Sequence, residues 1–170
     1  MYKINDCIVY GTEGICEIVD IAEKQFGDKC DTYYVLKPLY TKGSTVMVPV
    51  SNDLLVSKMR YMLSSQEIKD LIDKIPTEDA FEWIEDDKKR KDEFKKIILS
   101  GDRLLLIKLI KTVFVQGEEK KKLGKRLHTI DERFLKDAEK MLYEEFAVGL
   151  NIKKEEVLPY IISKIEAINE

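Results

Sequence analysis

The strongest constraint on the fold is a change in hydrophobic pattern near residue 60. Before it, short runs of β-forming residues alternate with turns at spacings of about 8–12 residues. After it, apolar residues recur every three or four positions, the spacing of an amphipathic helix. The sequence therefore predicts an α+β protein with a β domain at residues 1–60 and an all-α helical bundle at residues 61–170.

The β domain is expected to be a small barrel. Valine, isoleucine, threonine and tyrosine are frequent in its apolar runs, and glycine-containing turns separate them. The candidate strands are residues 7–10, 15–22, 32–36, 44–50 and 54–56. Four or five short strands in about 60 residues are typical of an SH3-like barrel.

Two capping boxes mark helix starts in the second part. Ser64 with Glu67, and Thr129 with Glu132, have the Ser/Thr-x-x-Glu spacing that satisfies two backbone amides at a helix N-terminus. Between them, residues 104–115 are apolar on most sides and are predicted to be the buried helix of the bundle. Gln116-Gly117 is expected to end that helix, followed by a basic connection at 118–128.

Residues 77–102 are predicted to form one long helix. They contain the only tryptophan, Trp83, and every residue between Ile84 and Phe94 is charged. Thr77 is a suitable N-cap, and Ser100-Gly101 is a suitable stop. Because the apolar spacing is interrupted for more than two turns, the middle of this predicted helix is expected to face solvent or a charged partner. Farther on, Pro159 predicts a kink or a break in the last helix.

The chain as a whole is not basic, since 29 Lys and Arg stand against 32 Asp and Glu, giving a net charge of −3. Any nucleic-acid contact must therefore come from local groups of cations. No apolar run approaches the roughly 20 residues of a membrane helix, and the first residues lack a signal-peptide pattern. Cys7, Cys16 and Cys30 lack CxxC spacing and are expected to be reduced core residues of a cytoplasmic protein.

Catalytic chemistry has little support in the sequence. The single histidine, His128, stands in a basic stretch without a neighbouring nucleophile. The sequence has neither a glycine-rich phosphate loop nor the spacing of metal ligands. We therefore predict a protein that is not an enzyme and has no cofactor or metal site.

Several motifs occur in an order that is more specific than any one of them. They are Asp6-x-x-Val9-Tyr10 with Gly14 and Ile18, the strands at 33–37 and 46–49, Trp83, Ser100-Gly101-Asp102, and Glu132-x-x-Leu135-x-x-Ala138-x-x-x-Leu142-x-x-Glu145. Their order and spacing resemble the CarD/CdnL family of bacterial transcription regulators over nearly the whole chain.

The resemblance implies a Tudor-like barrel that holds the β subunit of RNA polymerase. It also implies a helical domain that touches promoter DNA at the upstream edge of the transcription bubble. In that family the tryptophan acts as a wedge at the minor groove and stabilises the promoter open complex. The implied location is the cytoplasm, in association with the nucleoid.

The polymerase contact is expected on an exposed edge strand, which can add to a sheet of another protein. The family commonly places basic residues there; Lys24 falls at one such position, and Met47 replaces the other. An alternative is that Met47 and Val48 only alternate between solvent and core. The residues predicted to bind RNA polymerase are Lys24, Thr45, Val46, Met47, Val48 and Pro49.

Trp83 is the predicted wedge, because apolar side chains inserted at the minor groove unstack and kink DNA. Neighbouring cations would contact phosphates, which adds affinity without sequence choice. The alternatives are a core tryptophan and a solvated helix face whose lysines pair with Glu85, Asp86 and Asp87. The predicted DNA-binding residues are Trp83, Lys88, Lys89, Arg90, Lys91, Lys95, Lys125 and Arg126.

Two rival functions come from other classes. The first is a protein-interaction adaptor whose barrel binds another protein and whose helices never contact DNA. Polymerase binding without salt-sensitive DNA binding would favour it. The second is an enzyme, which would require a deep polar pocket near His128.

Overall fold

A computed structural model describes residues 1–169. The chain divides into two compact units, Met1–Met62 and a second that begins at Leu63, and each has its own hydrophobic core. The first unit is a five-stranded antiparallel sheet, and the second is helical. The predicted α+β fold class is therefore confirmed.

The sheet of the first unit is open. Its strands are β1 (Cys7–Tyr10), β2 (Gly14–Phe26), β3 (Lys29–Pro38), β4 (Val46–Pro49) and β5 (Met59–Tyr61), and a short helix, α1 (Asp53–Val56), precedes β5. The strand order is β4-β3-β2-β1-β5, so β4 and β5 are the two edges in the part of the chain described. We predicted a small barrel of four or five strands; five strands are present, but the described sheet does not close, since its last strand, β5, has three residues and pairs with β1 at one edge.

Residues 54–56 form a helix where we predicted a strand. The Asn52 side chain accepts a hydrogen bond from the Leu55 amide at 3.1 Å, which caps helix α1. The fifth strand follows at 59–61, where Ile8 of β1 lies opposite Tyr61. Strand β1 thus has β2 on one side and β5 on the other.

Alternating residues of the sheet supply its core. Ile8, Cys16, Ile18, Leu36 and Val48 are completely buried. The pairing of β2 with β3 shifts by one residue between positions 18 and 20. Such a bulge increases the local bend of a strand.

Only part of the cysteine prediction is correct. Cys16 lies in the core and Cys7 is half-buried, where burial raises the pKa of its thiol. Cys30 is exposed, because it lies near the solvated tip of the β2–β3 hairpin, paired with Gln25.

The second unit contains five helices in its described residues. They are α2 (Ser65–Lys74), α3 (Asp87–Ser100), α4 (Arg103–Lys122), α5 (Thr129–Leu150) and α6 (Lys154–Asn169). The capping box before α2 is confirmed: the Ser64 amide donates to the Glu67 carboxylate at 2.8 Å, and the Glu67 amide donates to Ser64 Oγ at 3.2 Å. The hydrogen bond from the Ser64 amide lowers the pKa of Glu67.

Helix α5 is the centre of this unit and carries three buried carboxylates. Each pairs with a cation of a different helix: Asp131 with Arg90 of α3, Glu145 with Arg103 of α4, and Glu144 with Lys154 of α6. Burial of a carboxylate is costly unless a cation compensates it. These pairs therefore specify which helices lie against α5.

The prediction of one long helix at residues 77–102 is wrong for the first half of that range. Ile75–Thr77 form a short 3-10 turn, residues 78–86 are non-helical, and α3 begins only at Asp87. The Asp86 carboxylate caps α3 by accepting from the Lys89 amide at 2.8 Å. The predicted end is correct, since Gly101 has a left-handed conformation with φ of 60°.

Three other helix boundaries differ from the predictions. Helix α4 continues through Gly117 to Lys122, so part of the expected connection is helical. The capping box at Thr129 does not form, because His128 occupies the N-cap position. Pro159 lies inside α6, which continues past it as one helix, so the predicted break is wrong and the predicted kink stays a prediction.

Close packing of α5 against α2 depends on Gly149. A Cβ atom there would lie 2.2 Å from Ile68 Cδ1 and 3.3 Å from the Leu63 carbonyl oxygen. Ile68 is completely buried, so its side chain has little room to move away.

We predict that Gly149→Ala lowers the free energy of unfolding by about 1–3 kcal/mol, because the core is overpacked. Urea denaturation followed by circular dichroism measures this change. Gly117→Ala is the matched control: its Cβ would lie 3.1 Å from the end of the half-buried Leu127 side chain. This control should be neutral or stabilising by up to about 1 kcal/mol, because alanine favours the helix. Equal stability of Gly149→Ala and wild type would contradict the packing argument.

Candidate functional site

Strand β4 offers a free edge for another protein. It pairs with β3 from Leu36↔Val46 to Tyr33↔Pro49, and its other side has no strand partner within the described sheet. The Met47 side chain is 41% exposed, whereas Val48 points into the core. The Val50 amide donates to the Thr32 carbonyl of β3 at 2.8 Å, so Val48, two residues earlier, also directs its backbone groups toward β3, whereas those of Met47 face the free edge.

The other predicted polymerase-binding residues surround this edge. Thr45 is exposed, and Val46 and Pro49 are half-buried. Lys24 is exposed on β2, opposite Asp31, so β3 separates it from β4. The structure thus groups residues 45–49 and places Lys24 one strand away.

Trp83 lies on the non-helical segment 78–86, which we call the Trp83 loop. Its ring is half-buried and packs edge-on against Phe94, with ring centroids 6.2 Å apart and an interplanar angle of 67°. The Lys120 ammonium lies 6.0 Å from the ring centroid. The indole is thus neither sealed in the core nor free in solvent.

A hydrogen bond also holds the start of the loop. The Phe81 amide donates to Thr112 Oγ1 at 2.8 Å, and Thr112 lies on the buried side of α4. This bond joins residues that are 31 positions apart. It gives the loop a fixed path between α2 and α3.

Arg90 connects three parts of the helical unit. Its Nε and Nη2 donate to the two oxygens of Asp131 at 2.8 and 2.9 Å, and Nη1 donates to the Ile84 carbonyl at 2.8 Å. Its Nη2 also donates to Asp87 at 2.7 Å. The Arg90 Cζ lies 4.5 Å from the Trp83 ring centroid, so the guanidinium covers part of the indole.

This geometry gives Arg90 an internal role. Its side chain is 3% exposed and that of Asp131 is 2% exposed, so neither faces solvent. The hydrogen bond to Asp131 raises the pKa of Arg90, which stays cationic. We predicted Arg90 as a phosphate contact, but its guanidinium is already occupied and leaves no free surface for a phosphate.

The four predicted lysines of α3 are exposed. Lys88, Lys91 and Lys95 have the helical spacing of one face, and Lys89 lies beside them. Within residues 1–169, no carboxylate lies within ion-pair distance of any of these four ammonium groups. The pairing with Glu85, Asp86 and Asp87 that we considered as an alternative is therefore absent from the described structure.

The acidic residues before these lysines have other partners. Asp86 caps α3, and Asp87 pairs with Arg90 and lies 3.6 Å from His128 Nδ1. The hydrogen bond from Arg90 lowers the pKa of Asp87. These carboxylates compensate the buried cation and the helix N-terminus rather than the exposed lysines.

The second basic group lies after α4. Lys125 and Arg126 are exposed in the connection to α5, which turns at Gly124 with φ of 68°. Lys120, on the last turns of α4, is the cation that reaches Trp83. Nothing in the sequence pattern distinguishes Lys120 from its basic neighbours. The pattern also offers no signal for Asp131, which lies 41 positions from its partner Arg90.

The described residues contain no cluster of candidate metal ligands. No group of three His, Cys, Asp or Glu side chains in residues 1–169 is arranged to hold a metal ion. His128 is exposed, and its neighbour Asp87 is also in solvent. None of the described helices is long and apolar enough to cross a membrane.

Comparison with known proteins identifies the first unit. A family profile of the CarD-like/TRCF RID domain matches residues 2–60, about a third of the chain. This match confirms the resemblance to CarD-like proteins for the first unit, over residues 2–60. Domains of this family interact with the β subunit of RNA polymerase, so the chain has a transcription-related polymerase-binding domain. No curated protein matches the chain.

We predict that Arg90→Met lowers the free energy of unfolding by about 3–5 kcal/mol, because Asp131 remains buried without its cation. Urea denaturation followed by Trp83 fluorescence measures the loss. Lys91→Met, one position away on the exposed face, should change stability by less than about 0.5 kcal/mol.

The double variant Arg90→Met/Asp131→Leu separates pairing from packing. Removal of both charges should recover part of the lost stability, since no uncompensated charge remains. A double variant less stable than Arg90→Met would show that the aliphatic packing of Arg90, rather than its charge, holds the loop.

Proposed function

We propose that the protein binds the β subunit of RNA polymerase through β4 and uses the helical unit to stabilise the promoter open complex. In this proposal, Trp83 contacts DNA at the upstream edge of the transcription bubble, and nearby lysines contact phosphates. The observation that carries it is an ordered, half-buried indole on the loop that leads into α3, where Lys88, Lys89, Lys91 and Lys95 form no ion pair within residues 1–169, in a chain with a polymerase-binding domain.

The free edge of β4 supports the polymerase contact. A strand from the partner can pair with its unpaired backbone groups, and side chains at alternate positions then supply specificity. Met47 is the exposed side chain of this strand and gives an apolar contact where a cation would give a charge-assisted hydrogen bond. Thr45 lies two residues before Met47 and is also exposed.

The anchoring of Trp83 supports its role as a wedge. Base unstacking costs a few kcal/mol, so a wedge side chain is effective when it is already ordered before binding. Arg90 and Phe94 hold one part of the indole, and the rest is accessible. The side chain has therefore lost most of its conformational entropy before DNA binds, so binding costs less.

The lysines support phosphate contact without sequence choice. In the part of the chain that the structure describes, Lys88, Lys89, Lys91 and Lys95 have no ion pair to break, so a phosphate does not compete there with a protein carboxylate. Lys120, Lys125 and Arg126 supply further cations. Because polymerase tethering raises the effective concentration of DNA, weak intrinsic DNA affinity is sufficient. The proposal requires no catalytic step and places the protein in the cytoplasm, associated with the nucleoid.

We predict that Met47→Asp weakens binding to the purified polymerase β subunit by at least about tenfold, because it places an unpaired charge in an apolar contact. Biolayer interferometry measures the affinity. The control is Leu54→Asp, which changes another exposed apolar residue of the same unit, on α1. Equal affinity of wild type and Met47→Asp would exclude β4 as the binding edge.

We predict that Trp83→Ala shortens the lifetime of promoter open complexes several-fold at saturating protein, with β-subunit affinity unchanged. A competitor challenge with heparin measures that lifetime. Leu99→Ala, at an exposed apolar position of α3, is the control and should leave the lifetime unchanged. An unchanged lifetime in the folded Trp83→Ala variant would remove the wedge from the proposal.

The salt dependence of DNA binding separates this proposal from the adaptor. Each lysine that contacts a phosphate should contribute about 0.9 to the slope of log affinity against log salt, so replacing Lys88 and Lys91 by alanine should reduce the slope by about 2. If the protein binds polymerase but shows no salt-sensitive binding to DNA, the result would favour an adaptor that does not contact DNA itself.

A further inference from the structure

A second exposed surface lies on the helical unit. Helices α4, α5 and α6 enclose a groove of about 390 Å³ whose lining is almost entirely apolar. Phe114, Leu158 and Ile162 line this groove and are 60%, 45% and 47% exposed. Large apolar side chains grouped in one concave surface are typical of a binding site for another molecule.

The groove continues along α4 and α5. A second depression of about 340 Å³ shares Phe114 and Glu139 with the first and extends to Lys121 and Leu127. The α4 residues that line the two depressions run from Ile107 to Lys121, which corresponds to about 21 Å at 1.5 Å per residue. This elongated shape fits a helix of about four turns better than a compact small molecule.

One half-buried carboxylate in the groove, Glu139, forms no ion pair within residues 1–169; Lys136, one turn earlier on α5, lowers its pKa, but burial has the larger, opposite effect. Of the two charged residues that line the first depression, Lys111 donates to the Ile75 and Glu78 carbonyl oxygens. Glu139 is half-buried and has no hydrogen bond or ion pair with another residue in the described range 1–169. Burial raises the pKa of Glu139, and it raises the pKa of the adjacent Tyr143 to about 12.

We propose that this groove binds an amphipathic α-helix of a partner protein, with one Lys or Arg of that helix paired to Glu139. Apolar side chains spaced i, i+3 and i+7 on the partner helix pack against Phe114, Leu158 and Ile162. The cation compensates the half-buried carboxylate at the point shared by both depressions. Burial of the apolar lining supplies affinity, and the single charge pair sets the register and selects the helix.

A phage-displayed library tests the proposal directly. Each peptide has sixteen residues, an alanine-rich helical background, a fixed leucine stripe and one randomised central position; the bait is the full chain. We expect lysine and arginine to be enriched at that position against wild type. Against Glu139→Lys, aspartate and glutamate should be enriched instead.

Fluorescence anisotropy with one selected lysine peptide measures how much Glu139 contributes to the binding affinity. Glu139→Gln should weaken binding by about tenfold or more, because the amide keeps the shape of the carboxylate but loses its charge-assisted hydrogen bond to the peptide lysine. Asp137→Asn, an exposed position on α5 outside the groove, is the matched control and should leave the affinity unchanged. Phe114→Ser, at an exposed apolar position, should abolish binding while the circular dichroism spectrum stays unchanged.

Three results would overturn the proposal. The first is selection without any charge preference at the central position. The second is equal affinity of the lysine peptide for wild type and Glu139→Gln. The third is a wild-type dimer in sedimentation that Phe114→Asp converts to a monomer, since the groove would then be an interface between two copies of this chain.

Discussion

The order of the Trp83 loop depends on the buried ion pair between Arg90 and Asp131. One guanidinium bonds a carboxylate of α5, a carboxylate at the start of α3 and a carbonyl of the loop, and it also lies over the indole. Because these partners converge on a side chain with almost no solvent contact, displacement of Asp131 would leave a buried charge without its main compensating partner. This compensated charge helps to hold in place a segment whose residues 79–85 lie outside any helix or strand.

Helix α5 extends the same principle through the unit. Its buried carboxylates pair with α3, α4 and α6, so the neighbours of this helix are specified by charge as well as by apolar packing. Buried pairs add little net stability compared with apolar residues of similar size, but wrong pairings are expensive. For a bundle whose helices all have leucine and isoleucine faces, such pairs exclude alternative arrangements.

Local patterns were sufficient to predict much of the fold. The strands 7–10 and 46–49, the capping box at Ser64 and the stop at Gly101 each follow from residues close together in sequence. The loop was missed because Asp86 was taken as the inside of a helix, whereas it caps one. The position of Trp83 also depends on bonds to Thr112 and Asp131, which no local pattern contains. The charged run was read correctly as solvated, except for Arg90, whose burial is determined by a residue on another helix.

The place of β1 between β2 and β5 has a consequence for how the chain is made. Strand β2 pairs with β1 through a tight connection, but β5 is separated from β1 by roughly fifty residues. During translation, one side of β1 therefore has no strand neighbour until residue 61 has left the ribosome. Contacts between residues distant in sequence form slowly, whereas helical hairpins such as α3–α4 form quickly. The side of β1 that β5 covers is therefore the last part of the sheet to become paired.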